Sequence, residues 1–346
     1  MKKYVYILGA GASKDFYMPL GNEYYSRAEE LLNQCPNGPT SRSIISDSLK
    51  SLENNLSKIY PNFIPNNKSK WPLLEEILTI SFNLRFFDVY EAARDLAVNV
   101  LIMCHGDYNL GLYDDFTEKS PNFIERKDKL KEYLRKNLNK GKEVSFISFN
   151  YDNIIDSILL DLKINFSYGI PFYDISDKKN LVCTKGIRLL KPHGSLNLAF
   201  CLKCKKIYYD VDILYSAIKN NREYAICCNQ SLTPLYVPAL FSKIQLENRE
   251  KEEKFLAKYA ENIYNQIVGE IAQADKIIII GYSFPSYDFE FKIKFLDGVC
   301  KNKKKIDWEV VAKGQYGDQL KGILPDDCKP FEQGFFEYIK SPIIKH

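Results

Sequence analysis

Four apolar runs, each ending in a short polar motif, constrain this chain more than any other feature. Tyr4–Leu8 runs into Gly9-Ala10-Gly11-Ala12-Ser13, and Val144–Ile147 into Ser148-Phe149-Asn150-Tyr151-Asp152. Ile187–Leu190 runs into Lys191-Pro192-His193-Gly194-Ser195, and Ile277–Ile280 into Gly281-Tyr282-Ser283. Short continuous apolar runs of this kind read as strands of an open parallel α/β sheet. Ligands of such sheets bind in the crevice at the carboxyl ends of the strands. Four ends carrying Gly, Ser, Asn, Asp and His therefore sketch one binding site.

The 346 residues suffice for a full core and more than one packed unit. With 48 basic against 44 acidic residues, the chain carries no field that implies nucleic acid. The dense run Lys301-Asn302-Lys303-Lys304-Lys305 reads as a solvated helix end or loop. The start of the chain imitates a secretory signal, with Lys2-Lys3 before Tyr4–Leu8 and small residues after it. That apolar run is too brief, and Lys14-Asp15 follows at once, so the strand reading is kept. No stretch approaches the roughly 18 apolar residues of a membrane helix. Nine cysteines without a credible signal read as reduced thiols, which predicts a cytoplasmic protein.

Helical spacing follows the first glycine turn, with Tyr24, Tyr25, Ala28, Leu31 and Leu32 in phase. The stretch Pro61–Pro72 breaks it, Leu73–Cys104 resumes it, and a polar loop is predicted over His105–Lys119. Arg126–Leu138 reads as another amphipathic helix, and strand character returns only at Val144. Later segments predict a short helix at Ile154–Leu162, a strand at Cys183–Leu190 and a helix at Asn248–Gln273. Further strands are expected at Ile306–Ala312 and Phe335–Ile339. The gap between the first two strands far exceeds what one crossover needs. The expected organisation is a Rossmann-like domain from 1–20 and 140–346, with a mainly α-helical insertion at 21–139. A small cysteine-containing module at 200–235 lies within that domain.

Gly9-x-Gly11-x-Ser13 permits close backbone approach and offers N–H groups and a hydroxyl to a phosphate. Lys14 stands where the full dinucleotide pattern has its third glycine, so a plain strand-to-helix turn is the competing reading. Asn150 and Asp152, two apart in extended backbone, face the same side; either could instead cap the helix that follows. The chain has three histidines, and of these only His193 lies in a Gly-flanked turn at a strand end. It is the one general base so placed near neutral pH. Ser283 could meet a phosphate or ribose hydroxyl and Asp288 a ribose diol, unless Asp288 caps the helix starting near Phe289. Cys201-x2-Cys204 precedes Cys227-Cys228, a second knuckle collapsed into neighbours whose side chains diverge. Three thiolates with a fourth ligand, or a metal-free remnant, are both open. The expectation is metal that is structural if present and substoichiometric or absent.

Assembled in this order, the motifs resemble the sirtuin family, and within it the divergent bacterial NAD-hydrolase branch. Gly9–Ser13 resembles the family's glycine motif, and Phe149-Asn150-Tyr151-Asp152 the Asn-x-Asp segment at the nicotinamide ribose. Pro192-His193-Gly194 resembles the catalytic histidine motif, Cys201–Cys228 the zinc module and Gly281-Tyr282-Ser283 the later nucleotide motif. The resemblance implies a Rossmann-like parallel sheet of sirtuin type with NAD as substrate. By it, Asn150 and His193 are catalytic: Asn150 orients the ribose and the attacking water, and His193 is the base. Asp152 holds the nicotinamide end, while Gly9, Ala10, Gly11, Ala12, Ser13, Gly281, Ser283 and Asp288 hold the rest of the cofactor.

Two departures bear on the substrate. Where the family's deacylases carry an Asp-Phe-Arg segment, Met18-Pro19 is followed here by Leu20-Gly21-Asn22. Where they pair with an acyl-lysine peptide through a Phe-Gly-Glu segment, this chain has Val237-Pro238-Ala239-Leu240-Phe241. Pro238 has no N–H to offer such pairing. The reading is an NAD hydrolase giving nicotinamide and ADP-ribose, with the antiphage-effector role the resemblance implies. A homo-oligomer or a regulatory partner protein would then hold it inactive, through 20–139. The alternatives are an NAD-dependent protein deacylase and a non-catalytic NAD or ADP-ribose sensor.

Overall fold

The computed structural model describes residues 1–34, 40–109, 121–138, 141–175, 181–182, 185–210, 225, 228–237, 251–313, 322–325, 328 and 330–341. These fall into two compact units. The first holds the described residues of Met1–Phe16, Asn122–Val237 and Phe241–His346, and the second essentially Tyr17–Pro121.

The first unit is built on six strands: β1 (Lys3–Leu8), β2 (Glu143–Ser148), β3 (Phe166–Ser167), β6 (Ile187–Leu190), β10 (Lys276–Ile280) and β11 (Asp307–Val311). Their spatial order is β11-β10-β1-β2-β6-β3, and every pairing is parallel. All residues of the central β1 and β10 are buried, which is why their sequence is a continuous apolar run rather than an alternation. The predicted strand at Cys183–Leu190 is ordered as β6 from Ile187, with Cys183 outside the described residues.

Four further strands precede β10: β4 (Phe172–Asp174), β5 (Leu181–Val182), β7 (Gly194–Phe200) and β8 (Ile207–Tyr209), joined by β9 (Thr233–Tyr236). They form a second sheet in the order β5-β4-β8-β7-β9, which was not expected from the sequence. Four of its strands have two to four residues, and the longest, β7, is interrupted by Ser195 and Asn197, so no apolar run stands out.

Helices of this unit are α1 (Ala10–Lys14), α6 (Pro121–Leu138), α7 (Ile154–Asp161), α8 (Lys251–Ala272), α9 (Phe289–Lys301) and α10 (Phe335–Lys340). Along α8, Leu256, Tyr259, Ile263, Ile267 and Ile271 recur at helical spacing and are buried. Phe335–Lys340, expected as a strand, is a helix. Gly334, at φ 88°, turns the chain into it, and Phe335 and Tyr338, three apart, are its buried residues.

In the second unit, α2 (Tyr24–Gln34), α3 (Thr40–Asn55), α4 (Leu74–Asn83) and α5 (Phe87–Asn109) pack around Leu31, Ile45, Leu52, Ile77 and Leu96. Trp71 is held by the rings of Tyr25 at 4.9 Å and Phe63 at 5.2 Å. The expected single helix from Leu73 is two, broken where Arg85 takes φ 63°. Helix α5 also continues to Asn109, so the segment around His105 is helical where a loop was expected. The helical segment α6, expected within a 21–139 insertion, groups with the sheet, since all but its first residue lie in the first unit. No described helix is long and apolar enough to cross a membrane.

Candidate active site

Strand β1 leads to β2, β6 and β3 on one side of the sheet, while β10 leads to β11 on the other. The order therefore reverses between β1 and β10, the position where open α/β sheets bind ligands. Two glycine turns meet there. Gly9 N–H donates to Ile280 C=O at 3.0 Å, and Gly11 N–H to Gly281 C=O at 3.0 Å. A Cβ on Gly9 would stand 2.5 Å from Gly281 O and 2.6 Å from Tyr282 Cα. Gly281 itself sits at φ 60° with Ala12 N and Gly11 against it. These glycines thus serve backbone contact between two loops, and two of the N–H groups expected to face a phosphate are engaged with protein carbonyls. Ser283 is exposed, next to buried Tyr282.

Asn150 and Asp152, from the loop after β2, meet Ser13 of α1. The Asn150 amide donates to Ser13 Oγ at 2.7 Å and to Gly9 C=O at 2.9 Å. Ser13 in turn donates to Asp152 Oδ2 at 2.6 Å. Asp152 Oδ1 accepts the Ile154 N–H at 3.1 Å, so the helix-capping role occupies one oxygen and the Ser13 contact the other. A cavity of ≈ 10 Å³ borders Ser13, Asn150 and Asp152, with Phe16, Leu130 and Phe335 opposite. That is the space of about one water. A nicotinamide-sized ligand requires these side chains to move apart.

His193 lies between β6 and β7. Gly194 turns the chain at φ 86°, where a Cβ would collide with Leu235 C=O. The carbonyl of His193 accepts the Val237 N–H at 2.8 Å. The imidazole is wedged between Phe149, edge-on at 5.1 Å, and Tyr151 at 6.1 Å. Its Nε2 lies 3.6 Å from Asp288 Oδ2. Asp288 is 1% exposed, and its Oδ2 also accepts the Tyr282 hydroxyl. The expected capping role is not seen, since Asp288 makes no side-chain hydrogen bond to the start of α9.

Lys191 is a site component that sequence reasoning passed over. It is 1% exposed, and its ammonium donates to Asp152 C=O and to Ser195 Oγ, each at 2.6 Å. It also pairs with Asp156 Oδ2 at 3.2 Å. Asp156 accepts the Tyr168 hydroxyl and the Asn197 amide, the latter at 3.3 Å. This buried network ties the Asn150–Asp152 loop to the His193 loop. Its signal was a lysine directly after an apolar strand, a residue that interiors hold only when paired.

In the cysteine module, the thiols of Cys201, Cys204 and Cys228 lie within 4.8 Å of one another. Cys227 is outside the described residues. Burial pushes the Cys201 thiol up, but the N–H groups of Cys204 and Lys203 and the Cys228 thiol outweigh it, so its pKa falls. Cys228 is pushed up to about 12, first by burial and then by Cys201. Three thiols this close, one of them faced by N–H donors, are a donor set that fits a zinc-type ion with a fourth ligand. Adjacent cysteines do not prevent this, because only Cys228 has to face inward.

No protein-family model matches the sequence, and no curated protein does. Solved structures similar to it are sirtuins. One, from work on sirtuin substrate affinity, is 14% identical over 97% of this chain and 91% of that one, with TM-score 0.39. A Sir2 complex with an inhibitor, 2′-O-acetyl-ADP-ribose and a deacetylated p53 peptide is 14% identical over 97% and 90%, with TM-score 0.36. Sir2 with a p53 peptide and NAD is 14% identical over 97% and 90%, with TM-score 0.35. Likeness at this level assigns neither family nor activity.

Proposed function

We propose that this chain cleaves the nicotinamide–ribose bond of NAD with water as acceptor, releasing nicotinamide and ADP-ribose. The observation that carries the reading is the convergence of Asn150, Ser13 and Asp152 at the carboxyl ends of adjacent strands, beside the switch point. That is where a nucleotide binds in such a sheet, and the resemblance of these motifs to NAD-binding segments points the same way.

The chemistry asks little of an acid. Nicotinamide leaves as a neutral base, taking the bond electrons that cancel its pyridinium charge, so no proton has to be supplied to it. What needs stabilising is the positive charge left on the ribose, and Asp152 is a buried carboxylate available for that. Once Ser13 is displaced, the Asn150 amide can orient the ribose and a water. His193 takes the proton that the water loses as its oxygen bonds to the ribose carbon. Gly9–Ala12 and Ser283 would border the diphosphate and adenosine side.

The role of a regulated antiphage effector that depletes NAD rests on the resemblance. Control by self-assembly or a partner protein follows from the toxicity of an unregulated cytoplasmic hydrolase. One observation favours the deacylase instead. Strand β9 is the end strand of its sheet among the described residues, and Val237 beyond it bonds to His193. An acyl peptide could add to that edge, although Pro238 and its neighbours lie outside the described residues. Following free nicotinamide from NAD, with the wild-type chain and Asn150→Ala, tests the reading. Release that needs Asn150 supports it, and no release by the wild type removes it.

A further inference from the structure

A carboxylate buried as fully as Asp288 is costly unless it meets a charge or a full set of donors. Asp288 has neither in full. Oδ2 accepts from Tyr282, and the Tyr264 hydroxyl also bears on the carboxylate, while Oδ1 lies outside good hydrogen-bond geometry. The nitrogen 3.6 Å from Oδ2, His193 Nε2, is also buried and without a partner. The ring nitrogen without a partner therefore faces Oδ2 of a buried carboxylate, across a gap slightly too long for a hydrogen bond. Phe149 and Tyr151 leave the imidazole little room to swing away.

We propose that Asp288 is a positioning residue for His193: it holds the ring by Nε2 and stabilises the imidazolium formed when the ring takes up a proton. The carboxylate fixes the neutral proton on Nε2 and leaves Nδ1 as the basic nitrogen, since the partner of one ring nitrogen sets the role of the other. The groups around the ring leave Asp288 as its charged neighbour. Tyr282 follows β10, Tyr264 comes from α8, and Tyr151 comes from the loop after β2. Burial and then Asp288 push the Tyr282 and Tyr264 hydroxyls well above the usual phenol range, so both stay neutral donors. Glu290, in the first turn of α9, bears on Tyr264. Lys191, two residues before His193, is committed to Asp156.

The kinetic part of the test rests on the hydrolase reading, whereas the NMR part does not. The chain has only three histidines, so their ring signals can be followed by ¹H–¹⁵N NMR, with His193→Gln identifying the one of interest. The variants are Asp288→Asn and Asp288→Ser, which remove the charge but keep a side chain suited to a helix start. In both, the neutral ring of His193 should lose its preference for a proton on Nε2, read from the ring ¹⁵N shifts. His105 and His346 should not move. In both variants kcat should fall while KM holds. In the wild type, the neutral ring should carry its proton on Nε2. An unchanged His193 tautomer in either folded variant, or a neutral proton on Nδ1 in the wild type, overturns the proposal. Absence of NAD cleavage by the wild type removes the hydrolase reading and leaves the NMR result to decide this one.

Discussion

Ser13 donates its hydroxyl proton to Asp152 at 2.6 Å, and the same oxygen accepts the Asn150 amide at 2.7 Å. Groups that would act on a ribose are thus satisfied by one another and enclose a space of about one water. Binding must break that arrangement. Ser13→Ala should therefore tighten or leave unchanged the binding of ADP-ribose, because it removes the competing partner. Isothermal titration measures this, and a loss of affinity beyond about tenfold would show Ser13 to be a ligand contact.

Asn150→Ala and His193→Ala should each abolish NAD cleavage while the chain stays folded. Loss of a positioned base alone costs about two to four orders of magnitude. Circular dichroism and nicotinamide assays on the same samples check both halves. Undiminished turnover in either variant contradicts the assignment.

Lys191→Met should destabilise the chain by about 3–5 kcal/mol, since it strands the Asp156 carboxylate in the interior. Lys191→Met with Asp156→Leu should recover much of that loss. Activity should stay low in the double variant, because the ammonium that ties Asp152 to Ser195 is gone. Urea unfolding gives the stabilities. Equal losses in the single and double variants would show that the pair is not the coupled unit described.

Much of this site could be read from the chain itself. Strands β1, β2 and β10 and the end of β6 are buried on both faces, so their apolar runs were visible without tertiary knowledge, and the polar residues at their ends were visible with them. Other features depend on distant partners. Nothing local distinguishes Phe335–Lys340 as a helix, because Phe335, Phe336, Tyr338 and Ile339 put apolar residues on both faces of so short a segment. Asp288 reads from the sequence as a ribose ligand or a cap; its missing cap bond and its place beside Tyr282 and His193 appear only in the packing. The same holds for Lys191, whose burial depends on Asp156 from another segment.

The reduced chain is expected to bind one zinc-type ion through Cys201, Cys204 and Cys228. This revises the expectation of substoichiometric metal, which rested on Cys227-Cys228 adjacency. Elemental analysis should give one ion per chain, lost in Cys201→Ser. A chain that stays metal-free under reducing, zinc-supplemented conditions contradicts it.

Free nicotinamide, measured in parallel reactions of the purified chain with NAD, with and without an acetylated lysine peptide, tests the central claim most directly. A hydrolase releases nicotinamide at the same rate in both and yields ADP-ribose. Release that depends strictly on the peptide, with acetyl-ADP-ribose as product, would contradict the account and make the chain a deacylase.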